Sequence, residues 1–175
     1  KYFIIRKKKY FEIKPDFFNP LIKLIKKDYK KKLVNLSSYH PSSFEVNVLK
    51  LFETEVINKL KIFLPVLAGT NKMNFHKWKK NDILEINKFG MLEPTLLSAK
   101  IVPDIILVPL LAYDNKNYRL GYGGGFYDRY LNKYLKTHKK ILTVGIAFSF
   151  QKHHNLPVNE KDVRLDYILT EKGFL

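Results

Sequence analysis

Cysteine is absent from all 175 positions. Its absence excludes a disulfide scaffold, thiolate metal sites and a cysteine nucleophile, and it fits a reducing compartment. Long apolar runs are absent too. No stretch approaches the roughly 20 residues needed to span a bilayer. The opening KYFIIR is too short an apolar run for a secretory leader, and no small-residue cleavage pattern follows it. A cytoplasmic location without a membrane partner is therefore expected. The chain does not begin with Met, which suggests that the numbering starts inside the natural reading frame. There is no internal repeat, no low-complexity linker, no histidine pair with metal-site spacing and no Ser/His/Asp arrangement. With 46% hydrophobic residues the chain can bury a sizeable core, and its length suits a single domain over residues 1–175.

Acidic residues are scarce. Sixteen Asp and Glu stand against 32 Lys and Arg, a formal net charge of +16. Such an excess invites a nucleic-acid reading. The lysines, however, are spread along the whole chain, at Lys7–Lys9, Lys30–Lys32, Lys79–Lys80 and Lys139–Lys140. They accompany abundant Asn, Ile, Tyr and Phe, as codon bias toward A and T would give. The excess is read as solvated surface, with no dedicated nucleic-acid partner. Its field would still attract anionic small molecules, including nucleotides and polyglutamylated cofactors.

Strand-like and helix-like segments alternate, which predicts an α/β sandwich. A helix should begin at Asn19-Pro20, an N-cap followed by a tolerated first-turn proline. Leu21, Ile22, Leu24 and Ile25 would line one face, with Lys26, Lys27 and Lys30–Lys32 at its C-terminal end. Residues 33–36 read as a strand, 43–58 as a second helix, and 61–67, 73–77 and 83–86 as strands. Residues 104–112 carry the strongest strand signal, apolar enough for burial on both faces, with Pro109 marking its end or a bulge. A helix over about 125–136 and strands over 140–148 and 166–171 complete the series. In an open α/β sheet, ligands sit beyond the carboxyl ends of the strands. That gathers 113–127, 149–151 and the loop after Leu67 around one crevice.

The segment RLGYGGGFYDR, residues 119–129, places four glycines in five positions between an apolar run and a helix. Glycine permits positive φ and close backbone approach. The unpaired N–H groups of the helix start, with its dipole, favour an anion such as phosphate. No Gly-Lys-Ser/Thr follows, so the loop is not a P-loop. It falls too late in the chain for a dinucleotide fingerprint. Arg119 is suited to phosphate contact, and Arg129 equally to a surface or packing role. Asp128 cannot bind phosphate directly. It makes sense beside Mg²⁺, or simply as a favourable first-turn charge. Asp162 reads as a second metal ligand or as a turn residue. Glu45 stands three residues after Ser42, which is capping-box spacing.

These residues resemble the 5-formyltetrahydrofolate cyclo-ligase (5,10-methenyltetrahydrofolate synthetase) family. The glycine segment, the preceding residues 104–109 and the following 157–162 carry the likeness. Tyr39 to Glu45, Leu64-Pro65, the triplet at 73–75, Glu93-Pro94 and residues 166–171 fall in the family's order. The resemblance implies a three-layer α/β/α sandwich with a mostly parallel, Rossmann-like sheet. It implies ATP-driven closure of 5-formyltetrahydrofolate, possibly polyglutamylated, to 5,10-methenyltetrahydrofolate, with release of ADP and phosphate, by a cytoplasmic monomer. ATP would be held by Arg6, Arg119, Leu120, Gly121, Tyr122, Gly123, Gly124, Gly125, Phe126 and Tyr127. Arg119, Tyr127 and Asp128 would serve catalysis, and Asp128 and Asp162 would bind Mg²⁺. His40, Glu45, Met73 and Phe75 would line the folate pocket. The chain departs from the family pattern in three ways. Phe126 stands where a tyrosine is usual. Arg6 has Lys1 five residues back rather than four. Val46-Asn47-Val48 replaces an acidic-threonine pair. Two other readings remain: a basic RNA-binding module in which the loop stacks on bases, and a degenerate family member that binds folate without turnover.

Overall fold

The computed structural model describes residues 1–29, 33–95, 97–138 and 140–175. The lysines at 30–32 and 139 that figured in the helix-end and charge readings lie outside the described residues. The chain opens with helix α1 (Tyr2–Lys9), a 3₁₀ turn and helix α2 (Asn19–Asp28), then enters strand β1 (Val34–Ser37). Two 3₁₀ turns lead to β2 (Leu60–Ala68) and β3 (Lys72–Lys77), and a small hairpin of β4 (Leu84–Ile86) and β5 (Leu92–Pro94) follows. Then come β6 (Ile105–Pro109), the two-residue strands β7 (Ala112–Tyr113) and β8 (Arg119–Leu120), and helix α3 (Phe126–Tyr134). Strands β9 (Leu142–Ile146), β10 (Tyr167–Thr170) and β11 (Gly173–Phe174) close the chain.

Seven strands form one sheet in the order β11-β10-β9-β6-β1-β2-β3. The five inner strands run parallel, and β3 and β11 add antiparallel edges. This is the mostly parallel α/β architecture the sequence implied. From β1 the chain moves outward to β2. From β6 it moves the opposite way, to β9 and β10. The β1–β6 pair, joined at Leu36–Ile105 and Ser37–Ile106, is thus the switch point of a doubly wound sheet.

Alternation along the strands divides the core. Leu36, Leu64, Ile105, Leu107, Val144 and Ile146 face α2 through Leu21, Ile22 and Ile25. Phe63, Phe75, Ile106, Val108 and Ile168 face α3 through Tyr130 and Leu131. β6 feeds both layers, which is why it is apolar throughout, and it ends at Pro109 as expected. Helix α2 begins at Asn19-Pro20, but Asn19 is already helical; Phe18 stands at the N-cap and no side chain caps the helix, so the expected asparagine cap is not formed. Among the described residues no helix is long and apolar enough to cross a membrane.

Two readings need correction. Residues 43–58 do not form an α-helix. Ser43 and Phe44 have φ of 50° and 64°, outside the right-handed helical region, and the segment folds as 3₁₀ turns over Val48–Glu53 and Glu55–Lys59. Asn47 Oδ1 accepts from Leu49 N, and Thr54, extended at ψ 154°, separates the turns. The apolar spacing that suggested a helix is satisfied by two short turns on the same core. Helix α1 was not anticipated. Its exposed Phe3 and Ile4 and its basic last turn give it no clear apolar stripe.

Gly145 on β9 lets three side chains converge. A Cβ there would lie 2.6 Å from Ile168 Cδ1 and 2.9 Å from both Leu110 Cδ2 and Leu165 Cδ1. Gly145→Val should therefore overpack the α3-side core and cost about 1–3 kcal/mol. The thermal midpoint should fall by roughly 2–4 °C per kcal/mol. An unchanged midpoint would mean that the three side chains give way freely.

Candidate functional site

The carboxyl ends of β1 and β6 open onto a cluster of polar side chains from distant parts of the chain. Arg6, on α1, is 1% exposed. Its Nη1 donates to Leu110 O at 3.2 Å, just past β6, and its Nη2 donates to Ser43 O at 2.7 Å, in the loop after β1. The same Nη2 donates to the Tyr122 hydroxyl at 2.5 Å, and that hydroxyl donates to Glu45 Oε1 at 2.6 Å. Glu45 Oε2 accepts from Ser42 N at 2.9 Å. The Ser42–Glu45 spacing is thus realised as a local clasp, with Glu45 N also donating to Ser42 O, and no helix follows. His40 stands half-buried at the edge of this loop, its pKa lowered by burial.

The glycine segment lies across this cluster. Gly123 and Gly125 have φ of 87° and 61°, and Gly125 caps α3 in the left-handed region. A Cβ on Gly124 would meet the Phe126 ring at 2.9 Å. Leu120 is spent in the β7–β8 pair, where its carbonyl accepts from Leu111 N. From residue 121 to 128, however, no backbone N–H finds an acceptor among the described residues. Eight successive amides at and just before the start of a helix are thus left without a protein acceptor among the described residues, a composition suited to an anion. Beside them the Tyr127 hydroxyl is buried without a partner among the described residues, as is Arg6 Nε. A buried, unsatisfied polar group costs about 1–3 kcal/mol. A ligand that reaches these two atoms could relieve that cost.

Arg119 is buried and paired within the protein. Its side chain is 3% exposed and turns inward, with Nη2 2.9 Å from Asp128 Oδ1 and Nη1 donating to Val163 O. Burial of a guanidinium demands a counter-charge, and Asp128 supplies it. Asp128 Oδ1 also accepts from Val163 N at 3.0 Å, which ties α3 to the loop carrying Asp162. Asp162 Oδ2 accepts from Asn159 N within its own turn. One oxygen of each carboxylate is left without a protein partner among the described residues. No group of three or more His, Asp or Glu gathers there or elsewhere in those residues.

Arg129 fastens the loop from outside. It donates to Gly124 O at 2.8 Å and to Asn71 O in the β2–β3 turn, with its guanidinium 4.9 Å from the Phe126 ring centroid. Met73 and Phe75 sit on β3 inside the α3-side core, and Phe75 packs edge-on against Tyr130. They form the floor beneath the loop rather than an open wall. The bridge made by Tyr122 escaped the sequence reading, because nothing local relates it to residues 77 and 116 positions away.

Comparison with known proteins bears on this arrangement. Residues 21–171 match the model of the 5-formyltetrahydrofolate cyclo-ligase family. A Haemophilus influenzae protein named 5-formyltetrahydrofolate cyclo-ligase is 34% identical over 141 residues, covering 77% of this chain and 74% of the relative. A Mycoplasma pneumoniae protein of the same name is 32% identical over 138 residues, covering 78% and 73%. The solved structure of Aquifex aeolicus 5,10-methenyltetrahydrofolate synthetase superposes with a TM-score of 0.71 at 30% identity, over 99% of this chain and 87% of the other.

The environment of Glu45 sets a pH dependence. Burial is the largest influence on its carboxyl and raises the pKa, opposed by hydrogen bonds from Tyr122 and Ser42 and by the charge of Arg6. The folded protein therefore holds this proton to higher pH than the unfolded chain does. Between the two pKa values the native state binds more protons, so stability falls as pH rises through that window. Urea midpoints measured upward from about pH 4, the ordinary carboxylate range, should decline more steeply in the wild type than in Glu45→Gln. Equal slopes would show that Glu45 ionises at no cost to the fold.

Proposed function

The chain is an enzyme of the 5-formyltetrahydrofolate cyclo-ligase family, and from this we propose that it closes 5-formyltetrahydrofolate to 5,10-methenyltetrahydrofolate at the expense of ATP, with phosphates held by residues 121–128. The observation that carries the proposal is the row of unpaired amides at the start of α3 beside the orphaned Tyr127 hydroxyl.

The chemistry needs ATP because a formamide oxygen is a poor leaving group. The formyl oxygen takes the γ-phosphoryl group as ADP departs. N10 then attacks the activated carbon and loses its proton, and inorganic phosphate leaves. Such transfer depends on positioning and charge neutralisation more than on a protein nucleophile, which suits a chain without a catalytic triad. The amides of Gly121, Tyr122, Gly123, Gly124, Gly125, Phe126 and Tyr127 would cradle the phosphates, and backbone dipoles fixed in place pay no reorganisation cost. Mg²⁺, held through the free oxygens of Asp128 and Asp162, would neutralise phosphate charge. Arg119 would act through Asp128, fixing its rotamer. Arg6 closes the cradle from the α1 side. Glu45 and His40 would meet the folate, above the floor of Met73 and Phe75. We extend the proposal to a cytoplasmic monomer with no nucleic-acid partner.

Absorbance of methenyltetrahydrofolate should rise when 5-formyltetrahydrofolate is mixed with protein and Mg·ATP, and not when ATP is omitted. Salt-sensitive retention on RNA without any ATP-dependent turnover would point instead to a nucleic-acid module. Gly123→Val forces a β-branched residue toward φ 87°. The strain, of order 1–3 kcal/mol, should weaken ATP binding by roughly 5- to 150-fold, and unchanged affinity would refute the cradle. Asp128→Asn keeps an acceptor for Arg119 and Val163 but removes the charge. We expect it to stay folded by circular dichroism while turnover drops at least about 100-fold. Wild-type turnover in that variant would end the metal assignment.

A further inference from the structure

Tyr122 belongs to the glycine segment, yet its hydrogen bonds lead away from it. Its ring is half in solvent, 53% exposed, and lies 5.5 Å from the Arg6 guanidinium carbon. Its hydroxyl reaches inward, accepting from Arg6 and donating to Glu45. Burial, with the Glu45 carboxylate beside it, drives the phenol's pKa well above its ordinary value, so it remains a donor.

Charge accounts for the arrangement. Arg6 is fully buried, and its direct partners are all neutral: two carbonyls and this hydroxyl. Among the described residues Glu45, 8% exposed, likewise accepts only from neutral donors, Ser42 and Tyr122. Buried charges need compensation. Here it passes through one oxygen atom, so Arg6 and Glu45 form an ion pair bridged by the Tyr122 hydroxyl. The bridge joins α1, the loop after β1 and the loop before α3 through a single side-chain oxygen.

We propose that Tyr122 is a positioning residue that couples the two substrate sites. The inference rests on the assignment of residues 121–128 to ATP and of Glu45 to the folate. A phosphate chain that settles on the amides fixes the backbone of Tyr122 and hence the direction of its hydroxyl. The hydroxyl then holds Glu45 and Arg6 in one arrangement, so the folate site is already formed when the second ligand arrives. By linkage the folate must favour ATP by the same factor.

Tyr122→Phe keeps the ring over Arg6 and removes only the bridging oxygen. The test is the dissociation constant of a non-hydrolysable ATP analogue with Mg²⁺, measured with and without saturating 5-formyltetrahydrofolate. In the wild type each ligand should tighten the other by about fivefold or more. In Tyr122→Phe that factor should fall to within about twofold of unity, while the analogue still binds alone. A purely structural role would shift both affinities and leave the factor intact. Equal factors in the two proteins, or no coupling in the wild type, would overturn the proposal. Should the phenylalanine variant unfold on a thermal scan, Tyr122→Trp, whose indole N–H restores a donor toward Glu45, serves in its place and should recover part of the coupling. No recovery in a folded Trp variant counts against the bridge. A wild type that binds neither ligand would overturn the substrate assignment itself, a result distinct from binding without coupling.

Discussion

Parallel pairing of β1 with β6 is the contact on which the architecture turns. The two strands are adjacent in the sheet but far apart in sequence, and the chain winds away from them in opposite directions. Connections that leave a pair on opposite sides cannot cover its carboxyl end. The space above Ser37 and Pro109 is therefore uncovered by construction. Every segment that enters it, whether α1, the 39–45 loop or the glycine segment, arrives as an addition to a finished sheet. Those additions carry the polar side chains of the cluster, while the apolar core is shared between the sheet and the helices and turns packed on it.

Additions of this kind need their own fastenings, and the structure supplies one to each. Arg6 anchors α1 through the carbonyls of Leu110 and Ser43. Arg119 and Asp128 bind the helix start to the 157–165 loop through Val163. Arg129 pins the glycine bend to the β2–β3 turn. Arginine suits all three places because its planar fork donates to two or more oxygens at once, and at Arg6 and Arg119 it stays charged although buried. Lysine, far commoner in this chain, stays outside.

What the sequence disclosed followed from local physics. An Asn-Pro pair starts α2, a run apolar at every position becomes the central strand, and a proline stops it. Glycines that lead into a helix leave its amides free. Each rule needs only neighbours in the chain. The failures share the opposite property. Residues 43–58 carry helical spacing, but Ser43 and Phe44 at positive φ and an extended Thr54 serve a loop and two turns, which tertiary packing imposed. The pairing of Arg119 with Asp128 and Val163 likewise could not be read from the chain, because Val163 reaches it only through the fold. Tyr122 looked like another loop aromatic, and only the fold brings it between Arg6 and Glu45. Met73 and Phe75 lie in the α3-side core, a burial that could not be read from their spacing.

The pairing of charges bears on how an anion would be received. Arg6 is compensated by Glu45 through Tyr122, and Arg119 by Asp128 directly, so the buried side chains around the glycine bend come close to neutral among themselves. The +16 carried by the whole chain lies mostly on lysines spread over its surface, where salt screens it beyond roughly 8–10 Å. Local attraction for phosphate then falls to backbone N–H groups and the end of the α3 dipole. These partial charges are held by the fold and need no counter-ion stripped away before they act. A site built from free arginines would attract the same anion more strongly. It would also pay to desolvate each guanidinium and would bind any phosphate without regard to shape. A cradle of amides spaced by glycine discriminates by geometry, because a donor that points along a fixed peptide plane rewards only an oxygen in the right place. On the proposed assignment, nearly neutral side chains and an electropositive backbone would together meet one requirement: to hold a highly charged chain of phosphates firmly enough to orient it and loosely enough to let the products go.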